Sequence, residues 1–335
     1  MDKVNIMQEK WDYLIILDAC RYDYFERIYE SYLQGKLTKK ISIGSCTDEW
    51  RDNTFTGRYD DVVYISANPH ISSSVKVTGF LGSEHFHKVY DIWKKGWDKE
   101  RGTVLPGTMT KTAIDIIART KDKRVIIHYL QPHAPYLCLD NAFQGFADPN
   151  FSMAKFLQGI ELQDQKAKIR NRIQKILLKI CKKHNAITEK LLGDHPEWML
   201  RQFLCLPPKT PMDVVRRKSS KIGLRKAYEA NLRIVLEQVA VLLKHLSGKI
   251  VLTSDHGELL GENKCYTHRA GSIKPQLIEI PYVVIQKPTD TKITMPEMEN
   301  TQTVKFETEL PASQEVSMND EEKLLERLRD LGYYD

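Results

Sequence analysis

Two places in this sequence set acidic residues directly after short apolar runs. Tyr13-Leu-Ile-Ile-Leu17 leads into Asp18, and Ile250-Val-Leu-Thr253 leads through Ser254 into Asp255-His256-Gly257-Glu258. In a parallel α/β sheet, functional groups collect just beyond the carboxyl ends of the strands. Carboxylates and a neutral imidazole at such points can hold a divalent metal. A lone Asp18 reads equally as a helix N-cap, whereas Ser-Asp-His-Gly-Glu after an apolar strand is far more specific. Two further groups could do chemistry. Gly44-Ser-Cys-Thr-Asp-Glu-Trp50 offers three adjacent nucleophiles, Ser45, Cys46 and Thr47. Gln131-Pro-His133-Ala-Pro-Tyr136 presents one imidazole between two prolines.

The elements that must position these residues alternate between strand and helix. Tyr13–Leu17 is an almost uninterrupted apolar run, as expected of a parallel strand covered on both faces. Residues 22–33 have helical character, and 62–66 and 124–130 read as further buried strands with a helix at 106–120 between them. A long apolar stripe follows at Tyr228, Leu232, Val235, Leu236, Val239, Leu242, Leu243 and Leu246, with Gly248 placed as a helix C-cap. Residues 250–253 and 278–285 complete the strands, 288–311 reads as loose or edge-forming, and 321–331 as a short helix. This alternation predicts an α/β chain, a three-layer α/β/α domain with a central, mostly parallel sheet spanning residues 1–335.

The middle of the chain departs from that pattern. From Lys155 to Lys226 there are 18 Lys and Arg against 6 Asp and Glu, so a chain of net charge +6 carries +12 here and −6 elsewhere. Ile169, Ile173, Ile176, Leu177 and Ile180 share a helical face, prolines at 207, 208 and 211 interrupt, and Arg216–Lys221 reads as a basic turn. The expectation is a basic helical insertion at 150–225. Such a segment is either a solvated face or an attractor for an anionic membrane or glycan surface. Its few aromatic residues argue against single-stranded nucleic acid.

With 41% hydrophobic and 28% charged residues in 335, the composition is that of a globular protein. No apolar run is long enough to span a bilayer. The polar N-terminus lacks an apolar leader, which predicts a cytoplasmic location, at most peripheral to a membrane. The six cysteines (Cys20, Cys46, Cys138, Cys181, Cys205, Cys265) have no CxxC spacing and read as free thiols.

Taken together, Asp18-Ala-Cys-Arg21-Tyr-Asp23, the Thr47 segment, the His133 segment and Thr253-Ser-Asp-His-Gly-Glu-Leu-Leu-Gly-Glu262 with Tyr266-Thr-His268 resemble the alkaline phosphatase superfamily. They are most similar to its sulfatase-like and phosphoethanolamine transferase-like branches, and the ending Leu-Arg-Asp-Leu-Gly-Tyr is similar too. The resemblance implies a metal-dependent hydrolase or transferase acting on phosphoesters through a covalent threonine intermediate. It implies a metal set of Asp18, Thr47, Asp255 and His256, with His133 and His268 binding a second ion or contacting the substrate phosphate. One or two ions, zinc or manganese, are expected, and an anionic ester as substrate. Thr47 is favoured as the nucleophile over Ser45 and Cys46 only by this likeness, and Arg21 either contacts a substrate oxygen or pairs with Asp23. Sulfatase activity is the first alternative, weakened because Cys46-Thr-Asp-Glu-Trp50 lacks the proline and arginine of a formylglycine motif and Ala19 follows Asp18. A non-catalytic protein that docks on anionic surfaces is the second.

Overall fold

A computed structural model describes residues 3–139, 194–203, 208 and 210–288. Its strands are β1 (Tyr13–Leu17), β2 (Lys36–Ile41), β3 (Tyr59–Ser66), β4 (Phe86–Asp91), β5 (Trp97–Asp98), β6 (Thr103–Val104), β7 (Arg124–Tyr129), β8 (Gly248–Thr253), β9 (Leu259–Glu262), β10 (Cys265–Thr267) and β11 (Glu279–Lys287). The helices are α1 (Tyr22–Ile28), α2 (Thr47–Thr54), α3 (Gly82–His85), α4 (Ile92–Lys95), α5 (Pro106–Arg119), α6 (Pro196–Phe203), α7 (Pro211–Leu243) and α8 (Pro275–Ile278).

Seven strands form the central sheet in the order β2-β11-β8-β1-β7-β3-β4. The run β8-β1-β7-β3-β4 is parallel throughout, and β11 lies antiparallel to both β8 and β2. Alternate residues of each strand enter opposite cores. Ile15, Leu17, Ile65, Ile127 and Leu252 pack under α1, α5 and α7, while Leu14, Ile16, Tyr64, Ile126 and Val251 pack against Trp11, Trp50 and Phe55 on the other face. That is why β1 reads as continuous apolar sequence: Leu14, Ile15, Ile16 and Leu17 are each fully buried. At roughly 1.5–3 kcal/mol per buried aliphatic side chain, this strand is a main anchor of the sheet. The three-layer α/β/α reading with a mostly parallel sheet is therefore observed.

Two local expectations change. Arg216–Lys221 is not an open turn but a kink in α7, where Ser220, at φ 60° and ψ −179°, separates two helical stretches. The helical stretch carrying the core stripe follows that break. Gly248 is not a helix cap either: α7 ends at Leu243, capped by Lys244. Gly248 opens β8 at φ 83°, and a Cβ there would stand 2.3 Å from the Asp12 carboxylate, which accepts a hydrogen bond from Lys249 N–H. The helical face at 169–180, the segment 289–311 and the helix at 321–331 lie outside the described residues. Cys20, Cys46, Cys138 and Cys265 are free thiols.

Candidate metal centre and nucleophile

β1 and β8 are neighbours in parallel register, Ile16 beside Thr253, so their carboxyl ends deliver Asp18 and Asp255 side by side. Ser254 stitches the two ends: its hydroxyl bonds Leu17 O at 2.7 Å and accepts Cys20 N–H at 2.8 Å. Ala19 is held at φ 58°, a left-handed position that a non-glycine residue adopts at a cost. That turn aims Ala19 N–H at Asp255 Oδ1, 3.1 Å away. Gly257 comes next to Gln276 O so closely that a Cβ would meet it at 2.0 Å, and its N–H donates to Leu277 O. Only glycine fits between His256 and Glu258.

Asp18, Asp255 and His256 are fully buried, and one ligand atom of each lies within 4.8 Å of the others. His256 Nδ1 donates to Gly257 O at 2.7 Å. In the neutral ring this leaves the Nε2 lone pair facing inward, 3.4 Å from Asp255 Oδ2 and 3.8 Å from Asp18 Oδ1. Thr47, the first residue of α2, completes the group. Its Oγ1 donates to Asp255 Oδ2 at 2.9 Å and lies 3.2 Å from His256 Nε2.

A second cluster adjoins the first. His133, Glu258 and His268 are buried, again with one ligand atom each within 4.8 Å. His133 Nδ1 donates to Ala134 O at 2.8 Å, so its Nε2 faces Glu258 Oε2, 3.9 Å away. His268 Nδ1 lies 3.2 Å from Glu258 Oε1, and the His256 and His268 rings are 4.3 Å apart. The structure thus brings together Asp18, Thr47, Asp255 and His256, and beside them His133 and His268.

The electrostatics call for a cation. Burial pushes Asp18 well above the ordinary carboxylate range, reinforced by the charges of Asp255 and Glu258. Burial also lifts Glu258 to about 7. Burial would raise Asp255 as well, but His256, His128 and the donors Ala19 N–H and Thr47 bring it below its usual value. Burial holds His128 and His133 down to about 4, and His256 below its usual value. Asp18 Oδ1 and Glu258 Oε2 have no hydrogen-bond partner among the described residues. Three buried carboxylates with lone pairs to spare and neutral imidazoles beside them are costly by themselves. As a donor set they suit a divalent ion in either cluster.

Four residues that motif reading passed over complete the site. Glu258 sits two residues beyond His256, in the same quoted run, and joins His133 and His268. Asn68 follows β3, where the strand-end rule would have found it, and donates to Asp18 Oδ2 at 2.7 Å. His128 is a polar residue inside the apolar run of β7. Asn231, fully buried on α7, had no sequence signal. Its Nδ2 donates to the carbonyls of Pro132, His133 and Pro135 at 3.3, 3.1 and 2.8 Å, and its Oδ1 accepts Leu137 N–H at 2.7 Å. Asn231→Ala would leave these groups unpaired and is expected to cost roughly 1–3 kcal/mol in a urea titration, with weaker metal binding at the second cluster. Unchanged stability would show that the loop holds His133 without it.

Arg21 takes the ion-paired alternative. Its guanidinium bonds Asp23 at 2.8 Å, Glu262 at 2.9 Å and Glu258 O at 3.1 Å, and only 5% of the residue is exposed. Arg21→Met is therefore expected to lower thermal stability, by on the order of 1–3 kcal/mol for the broken charge-assisted bonds, rather than to weaken substrate binding selectively. A rise in KM with unchanged stability would return it to the substrate. Of the other nucleophile candidates, Ser45 Oγ bonds Glu49 and Arg269 O. Cys46 precedes α2 as its N-cap residue, and burial raises its thiol to about 12. Thr47 alone of the three bonds the Asp255 carboxylate.

The fold is a three-layer α/β/α arrangement around a mostly parallel sheet. No protein-family match and no curated relative is found for the chain. Among solved structures it is similar to the integral membrane lipooligosaccharide phosphoethanolamine transferase EptA from Neisseria meningitidis, at 12% identity and TM-score 0.49, over 85% of this chain and 51% of that one. It is also similar to the periplasmic domain of EptC from Escherichia coli in complex with Zn (12%, TM-score 0.44, 84% and 74%). A third is the phosphonate monoester hydrolase of Agrobacterium radiobacter (13%, TM-score 0.42, 83% and 68%). The chain spans about half the length of that EptA. The expected cytoplasmic location is corrected at this point. It rested on a missing apolar leader, which does not set a compartment, and solved structures similar to this chain include periplasmic domains of EptC proteins. No helix among the described residues is long and apolar enough to cross a membrane.

Proposed function

We propose that this chain is a metal-dependent enzyme acting on phosphoesters, with Thr47 as covalent nucleophile and Asp18, Thr47, Asp255 and His256 as the first metal set. The observation that carries this reading is the Thr47 hydroxyl, 2.9 Å from a buried carboxylate oxygen and 3.2 Å from an imidazole nitrogen at the carboxyl edge of the sheet. A divalent ion, zinc or manganese, would lower the hydroxyl's pKa and offset charge on the non-bridging oxygens.

The chain's own groups supply the remainder. Thr47 stands at the N-terminus of α2, the end of a helix that favours an anion. In an in-line attack the Thr47 Oγ–P bond forms as the bond from phosphorus to the leaving oxygen breaks. The hydroxyl proton passes to the Asp255 carboxylate, whose Oδ2 already accepts it at 2.9 Å, and the leaving oxygen takes the electron pair. His133 and His268, with Glu258 between them, face the same space and either hold a second ion or contact the transferred group. Water or an acceptor alcohol then resolves the phosphothreonine, which separates a hydrolase from a transferase.

We read residues 1–335 as one domain, with 150–225 as an insertion that favours an anionic substrate or surface. Part of its charge is spent internally, since Arg216 and Arg217 both pair with buried Asp213. Metal analysis paired with turnover of nitrophenyl phosphate, its phosphodiester and its sulfate tests the proposal. Chelator-sensitive phosphoester cleavage by a protein carrying zinc or manganese is expected. Preferential sulfate cleavage would transfer the site to sulfatase chemistry, and no metal after reconstitution would remove the enzymatic reading.

A further inference from the structure

His128 is a fully buried imidazole on β7 with one nitrogen tied and the other not. Its Nδ1 lies 2.8 Å from Tyr64 Oη on the adjoining strand β3, and its ring packs edge-on to Trp50 of α2. Its Nε2 has no hydrogen-bond partner among the described residues. That atom lies 4.0 Å from Asp255 Oδ2, the same oxygen that accepts the Thr47 hydroxyl. Burying an unsatisfied ring nitrogen costs about 1–3 kcal/mol, so an apolar residue would be cheaper here unless the nitrogen has a task.

The neutral ring carries one proton, and the surroundings choose its place. A proton on Nδ1 would leave the Nε2 lone pair directed at a carboxylate, which is repulsive. A proton on Nε2 lets Nδ1 accept from the Tyr64 hydroxyl and turns an N–H toward Asp255. We propose that Tyr64 and His128 form a positioning pair for Asp255: Tyr64 Oη–H donates to His128 Nδ1, and His128 Nε2–H orients the carboxylate that serves Thr47 and the first metal set. At 4.0 Å the contact is longer than a direct hydrogen bond, and contacts of this kind tighten when the site is loaded. Carboxylate ligands held by such outer partners lose metal affinity when the partner is removed. His128 is thus a positioning residue, not a ligand or a catalytic group, and its role rests on the proposed metal set.

The test is cobalt(II) binding to the full chain, read by chelator competition and by the cobalt absorption bands, with urea midpoints as a folding control. His128→Phe is expected to weaken cobalt about 10–100-fold with the band positions unchanged, because the ligands stay the same. His128→Gln, which can restore an N–H, should recover much of that loss. Tyr64→Phe should show a smaller loss in the same direction. Wild-type affinity in His128→Phe, no recovery in His128→Gln, or a shifted spectrum would overturn the positioning role, the last by making His128 a ligand. If His128→Phe does not fold, His128→Gln and Tyr64→Phe carry the test: both must bind more weakly than wild type without a spectral shift. Failure of the wild type itself to bind cobalt would instead overturn the metal set.

Discussion

Thr47→Ala is expected to reduce phosphoester turnover by roughly 10⁴-fold or more, the scale seen when a covalent nucleophile is removed. The change deletes the hydroxyl that donates to Asp255 Oδ2 and little else, so folding should move by only about 1 kcal/mol. Thr47→Ser keeps the oxygen and should keep measurable turnover. Intact-mass analysis after a rapid quench with a slow substrate should find one phosphoryl group on the wild type and on Thr47→Ser, and none on Thr47→Ala. Alternative nucleophiles make opposite predictions: Ser45→Ala or Cys46→Ala should leave the adduct in place. An adduct that survives Thr47→Ala would reassign the nucleophile, and unchanged turnover would sink the covalent mechanism.

Asp18→Asn is expected to change stability in opposite directions with and without metal. With the chain's own charges alone, Asp18 is buried against Asp255 and Glu258, and its carboxyl is held well above the usual range. A neutral amide relieves that repulsion and can still accept the bond from Asn68, so in chelator the variant should be at least as stable as wild type. In saturating zinc or manganese the order should reverse. Wild type gains about 2.7 kcal/mol when the ion stands at a hundred times its dissociation constant, and the variant forfeits most of that gain. Differential scanning calorimetry in chelator and in metal reads both arms. Equal midpoints in both conditions would remove Asp18 from the metal set.

The same buried carboxylates set a pH dependence in chelator. Burial raises Glu258 from its ordinary 4.5 to about 7. A carboxyl raised on folding favours the folded state while protonated, and that contribution is lost as pH rises through the folded value. Glu258 should therefore lower stability in chelator between about pH 4.5 and 7, against the rise that His128 and His133, held down to about 4, contribute over nearly the same window, and Glu258→Gln should make the net slope more positive than in wild type. A slope left unchanged by Glu258→Gln would contradict the burial of an uncompensated Glu258.

Sequence by itself determined the sheet and its chemical edge. β1 and the Ile250–Leu252 run of β8 are buried on both faces, so they must be apolar, and the first charged residues after them, Asp18 and Asp255, mark the carboxyl edge where a parallel sheet gathers function. The Asp255-His256-Gly257-Glu258 run was legible for the same reason, and residues 106–119 and 228–243 by their apolar spacing. The direction of β11 was not legible, because Ile280–Ile285 is as apolar as the parallel strands of the sheet and periodicity carries no sense of direction.

Tertiary structure alone decided which polar groups meet. Ser45, Cys46 and Thr47 are chemically plausible in sequence, and the turn into α2 determines that only Thr47 bonds Asp255. Arg21 was open between substrate and ion pair until Glu262, folded back through β9, reached it. Glu258 joined His133 and His268 because Gly257 permits the close approach of Gln276. Asn231 grips the His133 loop from almost a hundred residues away, and His128 looks like one polar residue in an apolar strand until Tyr64 and Asp255 flank it. Hydrophobic periodicity is a local property of the chain and can be read from it. Hydrogen bonds and ion pairs across the fold depend on separations of a few ångströms, which only the packed structure sets.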